Sequence, residues 1–318
     1  MPEGDTIQRA AAALRIALVG KPTVAFEAPR LVGPHPAHGR VIERVESHGK
    51  HMEIVWDDGL TLHTHMRMTG SWHLYRIGEP WRRPVRQMRV MIEAPDWLAV
   101  CFNAPVVETY RHFDRHRHPG FGPLGPDLCK PDADLDECIN RLYHYEDQTT
   151  PIGEALLDQH VVCGVGNVYR CETLWACETY PFAPVAFVDA DHCAQLVTTA
   201  ARLLRANLTV GPNAELGSRR TMEAAVGDSG FGVRGLAVYG RNGQRCRRCG
   251  DTIEVRRTGE HARLLYWCPG CQTHCTPARQ QRGGSAESAV VDEPVMDPHP
   301  AAKKYLADLP WRRDRLTG

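Results

Sequence analysis

Two cysteine pairs, Cys246-Arg-Arg-Cys249 and Cys268-Pro-Gly-Cys271, stand 18 residues apart. That spacing matches a tetrahedral four-thiolate site, zinc above all, and it commits residues 237–272 to a compact module. Four thiolates leave no coordination position open, so the metal they imply holds structure and does no chemistry. A redox dithiol is the competing reading, and two pairs at this spacing argue against it. The other eight cysteines (101, 129, 138, 163, 171, 177, 193 and 275) follow no framework spacing and read as buried free thiols of an intracellular chain. The module is also basic. Residues 237–282 carry nine Arg (241, 245, 247, 248, 256, 257, 263, 279 and 282) against Asp251, Glu254 and Glu260, in a chain whose Lys+Arg and Asp+Glu both total 38. A local excess of positive charge under a neutral total is a footprint for phosphates, with a protein partner as the alternative.

At 318 residues the chain is long enough for two or three packed units. No apolar run approaches the length of a membrane span, and the N-terminus lacks the pattern of a signal peptide. Residues 5–18 predict an amphipathic helix, with Ile7, Ala11, Leu14 and Leu18 at helical spacing and Asp5 and Gln8 forming a capping-box pattern. From about residue 23 to 103 the period falls toward two. The runs VIERVE, HMEIVW, LTLHTH, RVMIE and WLAVCF predict a β-sandwich or barrel packed with that helix. Beyond Pro119 the pattern turns helical, pairing Leu135, Ile139 and Leu142, then Leu156 with His160, and Leu196 with Leu203. A Gly-rich turn, GVGN at 164–167, interrupts it. Residues 211–235 read as a mobile loop, and residues from about 276 as a disordered tail.

The N-terminal MPEGDT is a second chemical signal. Pro2 is small enough for removal of Met1 to be expected, which exposes a secondary amine titrating near ~8. Such an amine attacks an aldehydic carbon to give a cationic iminium, an electron sink for β-elimination. Glu3 beside it is placed to move protons.

Four segments in order, MPEG at the start, SHGKHM at 47–52, LLDQ with GVGNVYRCETLW between 156 and 175, and YWCPGCQ at 266–272, together resemble the bacterial formamidopyrimidine-DNA glycosylase/endonuclease VIII family. The resemblance implies an α+β multidomain fold: an N-terminal β-sandwich with a flanking helix (1–125), a helix–two-turn–helix domain (126–236), a zinc-finger hairpin (237–273) and a tail (274–318). It implies damaged double-stranded DNA as partner, one structural Zn2+, and a monomer in the bacterial cytoplasm, associated with the nucleoid. Pro2 then matches the Schiff-base nucleophile, Glu3 its acid/base partner, and Lys50 a phosphate-contacting lysine that assists elimination. Asn167 and Arg263 match phosphate contacts, the former with a helix N-cap as its alternative. The implied reaction removes an oxidised base and cuts the abasic site by β,δ-elimination.

Lesion choice rests on the segment HMRMTGSW. Its Arg67, Met68 and Thr69 stand where endonuclease VIII carries Gln, Leu and Tyr to fill the gap left by a flipped base. Met68 also resembles the single wedge methionine of the formamidopyrimidine branch. That branch adds Arg and Phe from a loop where this chain has FNAPVVET, offering Val106 and Glu108. Oxidised pyrimidines are therefore favoured over 8-oxoguanine, and an actinobacterial-type endonuclease VIII is the expected relative. One departure is Thr6, where both branches carry Glu; Asp5 beside it is a substitute or only a helix cap. A catalytically weak lesion-binding protein, and an RNA- or protein-binding zinc ribbon, are the rival readings. His63 and His65, and the loop histidines 112, 116 and 118, read as packing or surface residues in preference to a second metal site. The final KKYLADLPWRRDR reads as solvated tail, with a protein-binding segment as the alternative.

Overall fold

The computed structural model describes residues 2–111, 124–208 and 236–275. The segments read above as a mobile loop and a disordered tail lie outside the described residues, as do His112, His116 and His118. The chain divides into two compact units, one made of residues 1–138, 158–166 and 200–234, the other of 139–157, 167–199 and 235–318.

The first unit is built on two four-stranded antiparallel sheets. Strands β1 (Ala25–Glu27), β5 (Ser71–Arg76), β6 (Met88–Glu93) and β7 (Trp97–Phe102) form one, in the order β1-β6-β7-β5. The other runs β2-β3-β4-β8, from β2 (Ile42–His48), β3 (His51–Trp56), β4 (Leu60–His65) and β8 (Val106–Arg111). Helix α1 (Gly4–Leu18) shares their core, where Ile7, Leu14 and Leu18 meet Met52, Ile54, Trp56 and Leu62 of one sheet and Trp72, Val90 and Ile92 of the other. The expected sandwich with its flanking helix is therefore present. The β1-β6-β7-β5 sheet buries its second face too, with Tyr75, Met88, Val100 and Phe102 clustered there.

Two local expectations are corrected. The cap of α1 is Glu3, not Asp5; Asp5 lies inside the first turn and pairs with Arg9 four residues on, at 3.2 Å. The stretch from Leu156 to His160 is not a helical face. Helix α3 ends at Ala155 (Ile152–Ala155), and the Asp158 carboxylate takes the His160 backbone N–H at 2.9 Å, closing a turn in place of a helical bond. The remaining helices are α2 (Leu135–Tyr143), α4 (Asn167–Ala176) and α5 (Ala190–Ala206).

In the second unit, α4 packs on the hairpin of β9 (Glu254–Thr258) and β10 (Arg263–Trp267). Cys171 and Trp175 of α4 share a cluster with Val238, Ile253, Leu265, Trp267 and the cysteine module. Two polar devices fasten it. Buried Glu172 accepts the backbone N–H groups of Ala237, Val238 and Tyr239 at 2.8, 3.0 and 2.9 Å. Fully buried Arg170 meets the Glu154 carboxylate at 2.7 Å and donates to the Thr258 hydroxyl at 3.3 Å. Among the described residues, no helix is long and apolar enough to cross a membrane.

Candidate functional site

In the first unit the N-terminal strand-like residues run into α1 with Glu3 at its cap, and the Glu3 side chain is only 1% exposed. Its Oε2 accepts the Gly166 N–H at 3.1 Å, and the next residue, Gly4, donates its N–H to the Gly164 carbonyl at 2.9 Å. The positive end of the α1 dipole favours a carboxylate in this position. Glycine is required at both ends of the clasp. A Cβ on Gly166 would fall 2.3 Å from the Glu3 carboxyl carbon, and one on Gly4 would fall 2.8 Å from the Gly164 Cα. Pro2, half-buried, directly precedes Glu3.

Lys50 reaches the same turn from the β2–β3 hairpin. His48 pairs with His51, leaving the two-residue loop Gly49–Lys50, with Gly49 at φ 54, as a tight turn with glycine in its first central position requires. The ammonium Nζ donates to the Val165 carbonyl at 2.5 Å. Sequence reading had not marked the groups that hold this arrangement. Asp127, buried, accepts the Gly49 N–H at 2.9 Å and the Cys129 N–H at 3.0 Å. The Gln159 side chain donates to the Val165 carbonyl at 3.0 Å and accepts the Gly164 N–H at 3.1 Å. Gln159 closes the LLDQ segment, so its place in that run was its only sequence signal. Within one unit, Glu3, Lys50 and the GVG turn thus converge, with a carboxylate and an ammonium fixed at the N–H and C=O of one peptide group. The Asp5 carboxylate is engaged by Arg9 at 3.2 Å and by the Thr6 hydroxyl at 3.4 Å.

Arg67, Met68 and Thr69 occupy the turn between β4 and β5, and all three are exposed, Met68 to 63%. The turn is braced from beneath. The His65 Nδ1 accepts the Arg67 N–H at 3.1 Å, the Gly70 N–H returns to the Met66 carbonyl at 2.9 Å, and the Thr69 hydroxyl reaches the Asn103 carbonyl at 3.3 Å. Arg67 sits at φ 44, a left-handed conformation that costs a side-chain-bearing residue. Val106 and Glu108 lie in strand β8. Glu108 is engaged there by His63, whose Nδ1 is 2.7 Å from the carboxylate and whose Nε2 is 2.9 Å from His51 Nδ1. Burial and the surrounding His65, His63, His48 and Lys50 push the His51 pKa down to about 2, and burial pushes His65 down to about 4. His51 and His65 are therefore neutral packing and bracing groups.

In the second unit, Asn167 opens α4 and is buried; its amide nitrogen donates to the Leu264 carbonyl at 2.7 Å and its oxygen accepts from the Arg170 guanidinium. Leu264 follows Arg263, the first residue of β10, paired with Thr258 across the hairpin. Asn167 and the strand bearing Arg263 are thus joined directly. Of the arginines counted in the basic module, two do structural work instead of lying open to phosphates. Arg241 bonds the Arg245 carbonyl at 2.8 Å, and Arg248 stacks 3.8 Å from the Trp175 ring centre while donating to the Trp175 carbonyl at 2.9 Å. Arg245, Arg247, Arg256 and Arg257 remain exposed.

The four cysteines of the module come together as their spacing requires. All four sulfurs lie within 4.8 Å of one another, Cys246 to Cys271 at 3.7 Å and Cys249 to Cys268 at 3.4 Å. That crowding of four thiols fits a tetrahedral zinc ion. Bound there, the ion would join the two knuckles that flank the β9–β10 hairpin. None of the other eight cysteines forms a disulfide, and all are buried except half-buried Cys275.

Residues 1–105 match the model of the formamidopyrimidine-DNA glycosylase N-terminal domain, and residues 124–215 that of the formamidopyrimidine-DNA glycosylase H2TH domain. The chain is 37% identical to a probable endonuclease 8 2 of Streptomyces coelicolor, over 89% of this chain and 98% of that protein. It is 36% identical to the DNA-(apurinic or apyrimidinic site) lyase Nei2 of Mycolicibacterium smegmatis, over 86% and 99%. Among solved structures, the Lactococcus lactis Fpg in complex with DNA containing an abasic site has a similar fold, with a TM-score of 0.70 at 23% identity, covering 85% of this chain and 99% of that one.

Proposed function

The chain belongs to the formamidopyrimidine-DNA glycosylase/endonuclease VIII family, and from that premise we propose that it is a DNA glycosylase and abasic-site lyase of base-excision repair, acting through Pro2 on oxidised pyrimidines. The observation that carries this reading is the clasp of Glu3 and Lys50 on the GVG turn, one residue from Pro2. A carboxylate fixed by a backbone N–H and a capped helix is a positioned proton carrier, and proton transfer by such a group contributes typically ~10²–10⁴-fold.

The Pro2 nitrogen, once Met1 is removed, forms a bond to C1′ of the damaged nucleotide as the bond from C1′ to the base breaks. The base leaves with that electron pair and takes a proton from water. The N–H proton that Pro2 sheds passes to Glu3, which delivers it to the sugar ring oxygen as the ring opens to the iminium. Loss of a proton from C2′ sends electrons into the iminium and expels the 3′ phosphate. A second proton loss, from C4′, expels the 5′ phosphate, and water then releases Pro2. Lys50, Asn167 and Arg263 are assigned phosphate contacts, where ammonium, amide and planar guanidinium groups suit oxyanions. Four thiolates would saturate a zinc ion, which would then support the hairpin bearing Arg263 and take no part in the elimination.

Preference for oxidised pyrimidines rests on the turn at 67–69. Its three exposed side chains are available to fill the space of an extruded base, while Val106 and Glu108 are committed to strand β8. Borohydride trapping on duplexes carrying thymine glycol, 8-oxoguanine or a preformed abasic site tests the reading. Covalent adduct on the abasic and glycol duplexes, lost in Pro2→Gly, is the expected result. Protein with a verified Pro2 terminus that binds these duplexes but traps on none would make it a lesion-binding protein instead. Trapping on 8-oxoguanine in preference to thymine glycol would reverse the assignment of substrate.

A further inference from the structure

Among the described residues two groups of three or more metal-binding side chains bring their donor atoms within 4.8 Å of one another. One is the cysteine module; the other is His192, His274 and Cys275. This second group is assigned no part in the chemistry above. His192 lies in the first turn of α5 and is buried, with the Thr179 hydroxyl 2.7 Å from its Nε2 and its own backbone N–H given to the Asp189 carboxylate at 2.7 Å. A polar partner at a ring nitrogen orients an imidazole in the way that outer partners orient metal-bound histidines.

His274 and Cys275 come from the chain just past the last zinc-type cysteine. Their backbone is not free to wander. The His274 N–H donates to the Glu178 carbonyl at 3.0 Å, and the His274 carbonyl accepts the Tyr180 N–H at 2.9 Å. Gln272 adds a bond to the Thr179 carbonyl at 3.1 Å. The two imidazole rings stand 4.2 Å apart between centroids, tilted by 41°. Cys275 adopts φ 63, a conformation that a residue other than glycine keeps only when its surroundings hold it there. The half-buried thiol and the exposed edge of His274 leave a route for an ion from solvent.

We propose that His192, His274 and Cys275 bind a second divalent cation of the zinc type, pinning the chain that leaves the cysteine module to the first turn of α5. Two imidazoles and a thiolate form a borderline-soft donor set, which selects zinc or cobalt over magnesium and calcium. Bonds of ~2.0–2.1 Å to nitrogen and ~2.3 Å to sulfur require the three donors to close up from their present separation. The side chains can supply that movement while the backbone bonds of His274 stay in place.

Elemental analysis and cobalt spectroscopy on the full chain test this. Protein prepared with zinc should carry about two ions per chain, falling to about one in His274→Ala and in Cys275→Ser, neither of which removes a core side chain. With the cysteine module already filled, added Co2+ should develop thiolate-to-metal and tetrahedral absorption bands that both variants lose. A wild-type content of one ion, or content and spectra unchanged in the two variants, would overturn the proposal.

Discussion

Gly166 is the residue on which the proposed chemistry most directly depends, although it has no side chain to contribute. Its missing Cβ is the space that the Glu3 carboxyl occupies, and its N–H is the donor that fixes that carboxylate. Gly166→Ala should therefore displace Glu3 by about an ångström and lower abasic-site cleavage at least ~100-fold, while costing about 1–3 kcal/mol of stability. Single-turnover cleavage alongside urea unfolding separates the two effects; full activity in the variant would show that the clasp does not matter. Arg67 presents the opposite trade. Because it is held at φ 44, Arg67→Gly should raise stability by up to about 1 kcal/mol, the relief being partly offset by the freer unfolded chain. The same change removes an exposed side chain from the turn. Excision of thymine glycol should fall about tenfold or more, with cleavage of a preformed abasic site much less affected. Equal losses on both substrates would argue against a gap-filling role. At this scale the motifs pointed to Glu3 and Lys50, which the structure brings to one turn, and to Gln159 only as the last residue of LLDQ; Asp127 carried no signal. Their work is to satisfy backbone groups of distant segments, which leaves no periodicity or spacing to read.

Among the elements, α4 carries the heaviest polar load. Glu172 serves three consecutive backbone N–H groups where the chain enters the cysteine module. Truncating it leaves three buried donors without an acceptor. Glu172→Ala should cost about 3–5 kcal/mol in urea unfolding, and Glu172→Gln, which keeps one acceptor oxygen, distinctly less. A change below ~1 kcal/mol in the alanine variant would mean that this entry segment is held by its apolar contacts instead. The elements that could be read in advance share a feature: one period dominates them. α1 shows its helical stripe, and β2, β3, β4, β6 and β7 show their short β-type runs. Strand β5 was not among the runs read, although Ser71, Trp72, His73 and Leu74 alternate polar and apolar along it. β8 was read as a loop because the resemblance sets FNAPVVET against one; in the sheet its Glu108 is met by His63 on the neighbouring strand. The start of α1 was misplaced for a related reason. Asp5 and Gln8 have the spacing of a capping box, but the helix begins where tertiary contacts place Glu3, two residues earlier.

For the molecule as a whole, buried neutral histidines set a lower limit on pH. Burial, helped by nearby positive side chains, pushes the pKa of His51 to about 2 and that of His73 to about 4, from an ordinary value near ~6.5. Between about pH 6.5 and 4 the unfolded chain binds protons that the folded chain refuses, so stability must rise with pH there and fall as the solution is acidified. Each such histidine contributes up to ~1.4 kcal/mol per pH unit in that window. Urea midpoints should be nearly flat from pH 7 to 8 and then decline steadily below about 6.5, less steeply in His73→Phe; a midpoint that holds constant down to pH 4.5 would contradict this. The same molecule shows how its parts are threaded. The Glu3 carboxylate closes on a peptide 163 residues further along, inside a unit assembled from three separate stretches of chain. On a ribosome, the amino-terminal residues therefore emerge long before the turn that will clasp them has been synthesised. Through that interval the N-terminus remains open to the enzymes that trim initiator methionine, and the proposed lyase has no positioned carboxylate. Removal of Met1, on which the proposed chemistry depends, would thereby precede assembly of the clasp.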